Sequence, residues 1–295
     1  MSESAVNLQR KFGMDGVEFV QLNADVVLVK LQNVKGRAAV SLYGAHVVEF
    51  QPANEKPVIF TSSQAVFTPG KAIRGGIPVC APWFGKSAEA GIPAHGYARI
   101  SNWQVVEVTA EKLVMSLNHA DLPTPYNDMM LDMEVEIKVS DKLEVSLKTV
   151  NAGMRDFKFS GALHTYFAVD ELLKTQVGGF ENTTYLNALT KESAVQHGLV
   201  TASGEIDRIY ADGGVTAVIH DNGNKRQIVV AKCGSASGVI WNPGPENAAK
   251  MSDFGSEEWH KMLCVEAANA LADARVIKPG ETHELTTIIS LQPEA

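Results

Sequence analysis

Cysteine is scarce in this chain. The three residues, Cys80, Cys233 and Cys264, form no CxxC pair. Their odd number and wide spacing argue against a disulfide framework and against a zinc cluster. Long apolar runs are missing too; none approaches the roughly 18 residues that cross a bilayer. The stretch Met1–Gly13 is polar, mixed in charge, and lacks the apolar centre of a secretory signal. Together these absences lead us to expect a soluble protein of a reducing compartment, the cytoplasm, with no membrane partner. Positive charge is in deficit: the net charge is -8, which argues against a pervasive nucleic-acid footprint and still allows a local basic pocket. No HxxxH or HxH pair, GxxxxGK[ST], strand-linked GxGxxG or GxSxG elbow occurs. The eight histidines, at positions 46, 95, 119, 164, 197, 220, 260 and 283, are dispersed. No metal or cofactor is therefore expected.

What the sequence does contain is two-residue periodicity. Asp132–Val139 alternates polar and apolar residues without a break. Leu143–Val150 repeats the pattern after the turn at Ser140-Asp141-Lys142. Such a pair has one wet and one buried face. Similar runs occur at Asp25–Leu31, Ala39–Phe50, Trp103–Val108, Lys112–Leu117, Val215–Ile219, Gln227–Ala231, Gly238–Trp241 and Leu285–Leu291. Helical signals are few and short: Pro245–Met251, Ser256–Met262 and a turn after Asp170. Many short strands and few helices predict an all-β, large antiparallel sandwich. No repeat or Pro/Ser-rich linker divides the chain. We read residues 1–295 as one domain, with 1–15 a loosely ordered N-terminal arm.

Several segments carry residues suited to chemistry. In Lys71–Gly85, Arg74 precedes Gly75-Gly76, a pair that permits a sharp turn or close backbone approach. Arg74 there is either a solvated turn residue or a guanidinium fork offered to an anion. Pro93–Arg99 places His95, Tyr97 and Arg99 within five positions, a polar rim or a loop histidine satisfied by backbone. In Gly161–Val169, a strand would put His164 on one face with Ala162 and Tyr166. Histidine readily exchanges a proton near neutrality, although a structural role is the commoner one for a strand histidine. Glu266 sits inside the apolar run Leu263–Ala270. If buried, it needs a partner or a raised pKa. Trp241 is either a core ring or a stacking platform for a sugar. Asp207, before a short strand, is a turn acid or an acceptor for sugar hydroxyls.

Taken in order, five segments resemble the glucose-6-phosphate 1-epimerase (hexose-6-phosphate mutarotase) branch of the aldose 1-epimerase superfamily. They are Ile73–Pro78, Pro82–Gly85, Pro93–Arg99, Ala162–Phe167 and Val265–Asn269, and the likeness covers roughly Ala39–Leu291. It implies a galactose-mutarotase-like sandwich with its site on a concave sheet face. It further implies His164 and Glu266 as the catalytic pair. Arg74 and Arg99 become phosphate or sugar ligands with His95 beside them, and Asp207 becomes a sugar-binding carboxylate. The stretch from Asp170 to Gly204 matches least.

The resemblance implies anomer interconversion of a small-molecule hexose 6-phosphate, glucose 6-phosphate first. Glu266 would take the C1 hydroxyl proton and His164, as imidazolium, would protonate the ring oxygen. Ring opening, rotation about C1–C2 and reclosure would then give the other anomer. Two alternatives stay open: an aldose 1-epimerase acting on free sugars, and a non-catalytic sugar-phosphate-binding protein. A glycoside hydrolase fits less well, because it calls for a second carboxylate and only Glu266 is a convincing candidate.

Overall fold

The computed structural model describes residues 3–87 and 91–293. Antiparallel sheet dominates it. The larger layer has nine strands, running in order Val200–Thr201, Thr175–Gly178, Thr216–Asp221, Arg226–Cys233, Thr282–Pro293, Lys142–Asn151, Leu131–Val139, Lys112–Leu117 and Gln104–Val108. An eight-stranded sheet packs on it. Its order is Ser193–Val195, Thr184–Asn187, Ile206–Tyr210, Ser237–Asn242, Met262–Asn269, Gly161–Leu163 and Val79–Cys80, with Tyr166–Ala168 also pairing to Met262–Asn269. A four-stranded meander, Val17–Gln21, Val27–Asn33, Gly36–Ser41 and His46–Pro52, meets the larger layer where Gly36–Ser41 touches Leu131–Val139. One apolar core joins these sheets, from Leu8 and Val29 through Val135 and Leu147 to Val265 and Ile289.

Two kinds of strand build this sandwich. Leu131–Val139 follows its sequence pattern, burying Leu131, Met133, Val135, Ile137 and Val139 and turning its charged residues outward. Met262–Asn269 is instead buried at every residue. Its Leu263, Val265 and Ala267 enter the core between the layers. The pleat therefore sends Cys264, Glu266 and Ala268 to the opposite face. That outer face of the eight-stranded sheet is where the site lies.

The structure departs from the sequence reading in several places: it adds short strands such as Val17–Gln21, Thr175–Gly178 and Thr184–Asn187, and sets Asp207 inside the strand Ile206–Tyr210 rather than before it. Residues 1–15 were expected as a loose arm, yet Ala5–Phe12 is a helix. Ser4 caps its N-terminus, and Ala5 and Leu8 are buried against the meander. Two apolar positions one turn apart suffice to dock it. The run Ala39–Phe50 is two strands, because Gly44 and Ala45 at positive φ turn the chain back. Ser256–Met262 yields only a single 3-10 turn, Trp259–Lys261, before the buried strand begins. Finally, His164 and Thr165 interrupt the expected strand, His164 N–H donating to the Pro78 carbonyl at 3.1 Å. The other alternating runs, and the short helix at Gly244–Ala248, lie where the pattern put them.

A buried ion pair ties the two layers together behind the site. Asp221, fully buried, accepts from Arg226 Nε at 2.9 Å. Its other oxygen accepts from Asp170 N–H at 3.0 Å. The Arg226 guanidinium also donates to the carbonyls of Lys56, Pro57 and Ala168. Removing one partner strands a desolvated charge, so Asp221→Ala should lower unfolding free energy by about 3–5 kcal/mol in urea titration. A loss below about 1 kcal/mol, the range of a surface pair, would contradict this account.

Candidate active site

A cavity of about 1070 Å³ opens on the outer face of the eight-stranded sheet. Strand register assembles its floor. Glu266 lies opposite Val239, and Trp241 lies opposite both Asp207 and Cys264. Two-residue spacing then brings Asp207 with Ile209, and Val239 with Trp241, to the same surface. The loops after Phe60 and before Ala98 supply the wall with Arg74, Phe84 and His95, and the 3-10 turn Ala98–Ile100 adds Arg99. All six residues singled out in the sequence, Arg74, His95, Arg99, His164, Asp207 and Glu266, line this one cavity.

Glu266 and His164 form its deepest part. His164 Nε2 stands 3.3 Å from Glu266 Oε1. Glu266 is 2% exposed, and neither of its carboxyl oxygens has a hydrogen-bond partner among the described residues. Burial, reinforced by the charge of Asp207 and opposed by Arg99, pushes this carboxyl well above its ordinary pKa. Burial pushes the His164 imidazole well below its own, with further contributions from His95 and Arg99. Both shifts favour a carboxylic acid beside a neutral imidazole. That pair carries the same single proton as carboxylate beside imidazolium, so the two are tautomers of one unit. Orphaned buried acceptors cost about 1–3 kcal/mol each, a common mark of a functional group awaiting partners.

Aromatic rings fix the imidazole. His164 stacks on Tyr166 with centroids 5.0 Å apart and planes at 15°, and Trp241 meets its edge at 5.8 Å. The same-face relation of His164 and Tyr166 thus survives the break in the strand. His95 approaches His164 at 6.1 Å and Phe84 at 4.9 Å. Its backbone is left-handed, with φ 62, and its N–H donates to the Gly85 carbonyl at 2.7 Å. Burial and then Arg99 lower its pKa to about 4, so its ring is neutral at pH 7.

The two arginines are held differently. Gly75 and Gly76 have φ of 102 and 67. A Cβ on Gly76 would overlap the Val47 carbonyl and the His46 ring. His46 Nε2–H donates to the Gly75 carbonyl at 2.7 Å, completing the turn that presents Arg74. The Arg74 side chain donates to Asp253 and to the Tyr166 hydroxyl. Arg99 leaves a 3-10 turn, and one of its nitrogens donates to the Ala94 carbonyl at 2.8 Å. Its Nε is buried with no hydrogen-bond partner among the described residues. Across the cavity, desolvation raises Asp207 to about 6, with Lys191 opposing and Glu205 adding to the shift.

Sequence reasoning missed Asp253, Lys71, Lys191 and Lys250, which also line the cavity. Asp253 reads as a turn acid in Ser252-Asp253-Phe254-Gly255, and only the fold sets it against Arg74. Among the described residues no cluster of three His, Cys, Asp or Glu side chains could hold a metal ion. Nor is any helix among them long and apolar enough to cross a membrane.

The chain resembles known proteins over nearly its whole length. Residues 27–290 match the family described as aldose 1-epimerase. A protein of Escherichia coli K12 is 31% identical over 265 residues, 88% of each chain. One from Cenchrus ciliaris is 31% identical over 274 residues, 88% of this chain and 82% of its own. Both bear the name "Putative glucose-6-phosphate 1-epimerase". The crystal structure of YeaD from Salmonella typhimurium, described as a "putative mutarotase", superposes with a TM-score of 0.87 at 26% identity, covering 95% of both chains. A galactose 1-epimerase structure from Lactobacillus acidophilus shares the fold at 14% identity, with a TM-score of 0.70, over 95% of this chain and 99% of its own. A sandwich that sets a buried acid–imidazole pair in a cavity on its sheet face, matched at this identity across this length, belongs to the aldose 1-epimerase family, and the protein is an epimerase.

Proposed function

We propose that this epimerase interconverts the α and β anomers of a hexose 6-phosphate, with glucose 6-phosphate as its substrate. The observation that carries the reading is that one cavity holds both a buried carboxyl beside an imidazole, Glu266 and His164 at 3.3 Å, and two arginines, Arg74 and Arg99. The names of the Escherichia coli and Cenchrus relatives support the same substrate class.

The chemistry follows from the shared proton. Sugar hydroxyls donating to the unpartnered Glu266 oxygens favour its carboxylate, which moves the proton to His164. Glu266 then takes the proton of the C1 hydroxyl. His164 gives its proton to the ring oxygen as the C1–O5 bond breaks, leaving the open-chain aldehyde. This step returns the pair to carboxylic acid and neutral imidazole, the state that burial favours. Rotation about C1–C2 and reversal of both transfers close the other anomer. The neutral His95 and the Trp241 ring border the sugar. Arg74 and Arg99 take the phosphate, and Asp207 accepts from sugar hydroxyls.

Anomer exchange followed by NMR tests this. Wild-type protein should accelerate exchange of glucose 6-phosphate, and Glu266→Gln should lower kcat by about 10²–10⁴-fold. Binding without acceleration in the wild type would leave a sugar-binding protein in place of the enzyme. Arg74→Ala should raise KM for glucose 6-phosphate far more than for free glucose; equal effects would remove the phosphate role.

Asp207 gives a pH signature. Its carboxyl is raised to about 6 because burial disfavours the charge, so it is ionised above that pH and protonated below. The carboxylate accepts hydroxyl hydrogen bonds more strongly than the neutral acid, because charge-assisted bonds are the stronger ones. For free glucose, which has no phosphate titrating at about 6, KM should therefore climb as pH falls through about 6, and Asp207→Asn should abolish that inflection while raising KM at pH 7.5. An unchanged profile in the variant would assign the inflection elsewhere.

A further inference from the structure

Asp253 holds Arg74 by one edge. Its Oδ2 alone accepts from Nε at 3.3 Å and from Nη2 at 3.2 Å. Nη1 donates to the Tyr166 hydroxyl at 3.3 Å. A guanidinium has five N–H donors, so these three contacts leave two, one on each terminal nitrogen. Two donors at the end of the fork match two oxygens of a phosphate.

The segment bearing Asp253 is bolted to the segment bearing Arg74. Arg74 O accepts from Ser62 N–H at 3.1 Å. Ser62 Oγ donates to Glu258 at 2.6 Å and accepts from Gly255 N–H at 3.2 Å. Glu258 also accepts from the backbone of Ser63 and Gly255. Phe254, next to Asp253, packs its ring on Phe60 at 5.9 Å. The residues lie 179 apart in sequence, but their supports are fastened at one serine. Side chains on anchored bases lose little further freedom on pairing, and their geometry stands before a ligand arrives.

We infer that Asp253 is a positioning residue for the anion site, presetting the Arg74 guanidinium so that its two remaining donors face the substrate phosphate. The inference rests on the phosphosugar reading above. Asp253 also brings a negative charge near that phosphate, and the two effects have opposite signs. Asparagine separates them, because its carbonyl oxygen can take both contacts now made by Oδ2 while the charge is gone.

The test is anomer-exchange kinetics on glucose 6-phosphate and free glucose with Asp253→Ala and Asp253→Asn. Asp253→Ala should raise KM for the phosphosugar about three- to tenfold, the cost of ordering one freed side chain on binding. Its kcat and its KM for free glucose should stay within about twofold of wild type, a split that general unfolding does not produce. Asp253→Asn should keep KM for the phosphosugar at or below the wild-type value. The inference is overturned if the alanine variant binds the phosphosugar as well as or better than wild type. Equal losses on both sugars, or an asparagine variant as weak as alanine, overturn it too. Arg74→Ala run alongside distinguishes the two failures: a phosphate-selective loss there with none in Asp253→Ala sinks only this inference, whereas a loss shared by both sugars sinks the phosphosugar reading itself.

Discussion

A carboxyl group sealed inside sheet without a hydrogen-bond partner is the constraint from which this site follows. Leaving Glu266 desolvated opposes folding, and the surrounding sandwich must offset it. It does so with a strand buried at every residue, whose alternate side chains enter a core continuous through both layers. The backbone of that strand pairs with strands on both sides, which fixes where the carboxyl stands on the cavity floor. The His164 imidazole stands beside it, Nε2 3.3 Å from Oε1, within reach of a proton transfer. The rings of Tyr166 and Trp241 then allow that imidazole little choice of orientation.

Charge is distributed against the overall balance. The chain is acidic, yet the cavity gathers Lys71, Arg74, Lys86, Arg99, Lys191 and Lys250 against Asp207, Asp253 and Glu266. Screening at physiological salt confines long-range repulsion to about 8 Å. An anion entering the cavity is therefore governed by the local cations. Burial first, and then these cations, lower the histidines beside them, which keeps His95 neutral and makes the pair at the floor respond to whatever neutralises the arginines.

Much of this was legible in the residues, and the rest was not for definable reasons. Alternation exposed strands such as Leu131–Val139 because one face is wet and the other buried. The same logic misled at Ala39–Phe50, where both sides of the turn are apolar and only Gly44 marked the reversal. Each of the six candidate residues had a plain structural alternative when taken alone and drew its role from the family resemblance, and the fold collects all of them in one cavity. Asp253 was silent because its partner comes from a distant loop, and an acidic residue before glycine looks like any turn. The N-terminal helix was silent because only Ala5 and Leu8 of its eight residues are buried, too few for a periodic signal.

Strand order has a consequence for how the molecule is made. Thr282–Pro293 lies between Arg226–Cys233 and Lys142–Asn151, in the middle of the larger sheet, yet it follows all the other strands of that sheet along the chain. Until it pairs, the halves on either side of it have no hydrogen-bonded connection through the sheet and keep two bare edges. Glu266 arrives only shortly before. Pairings of such long sequence separation are slow to form, and unpaired edges invite association between nascent chains. The larger sheet is therefore closed by the strand that comes last in it along the chain, which covers both edges in one step.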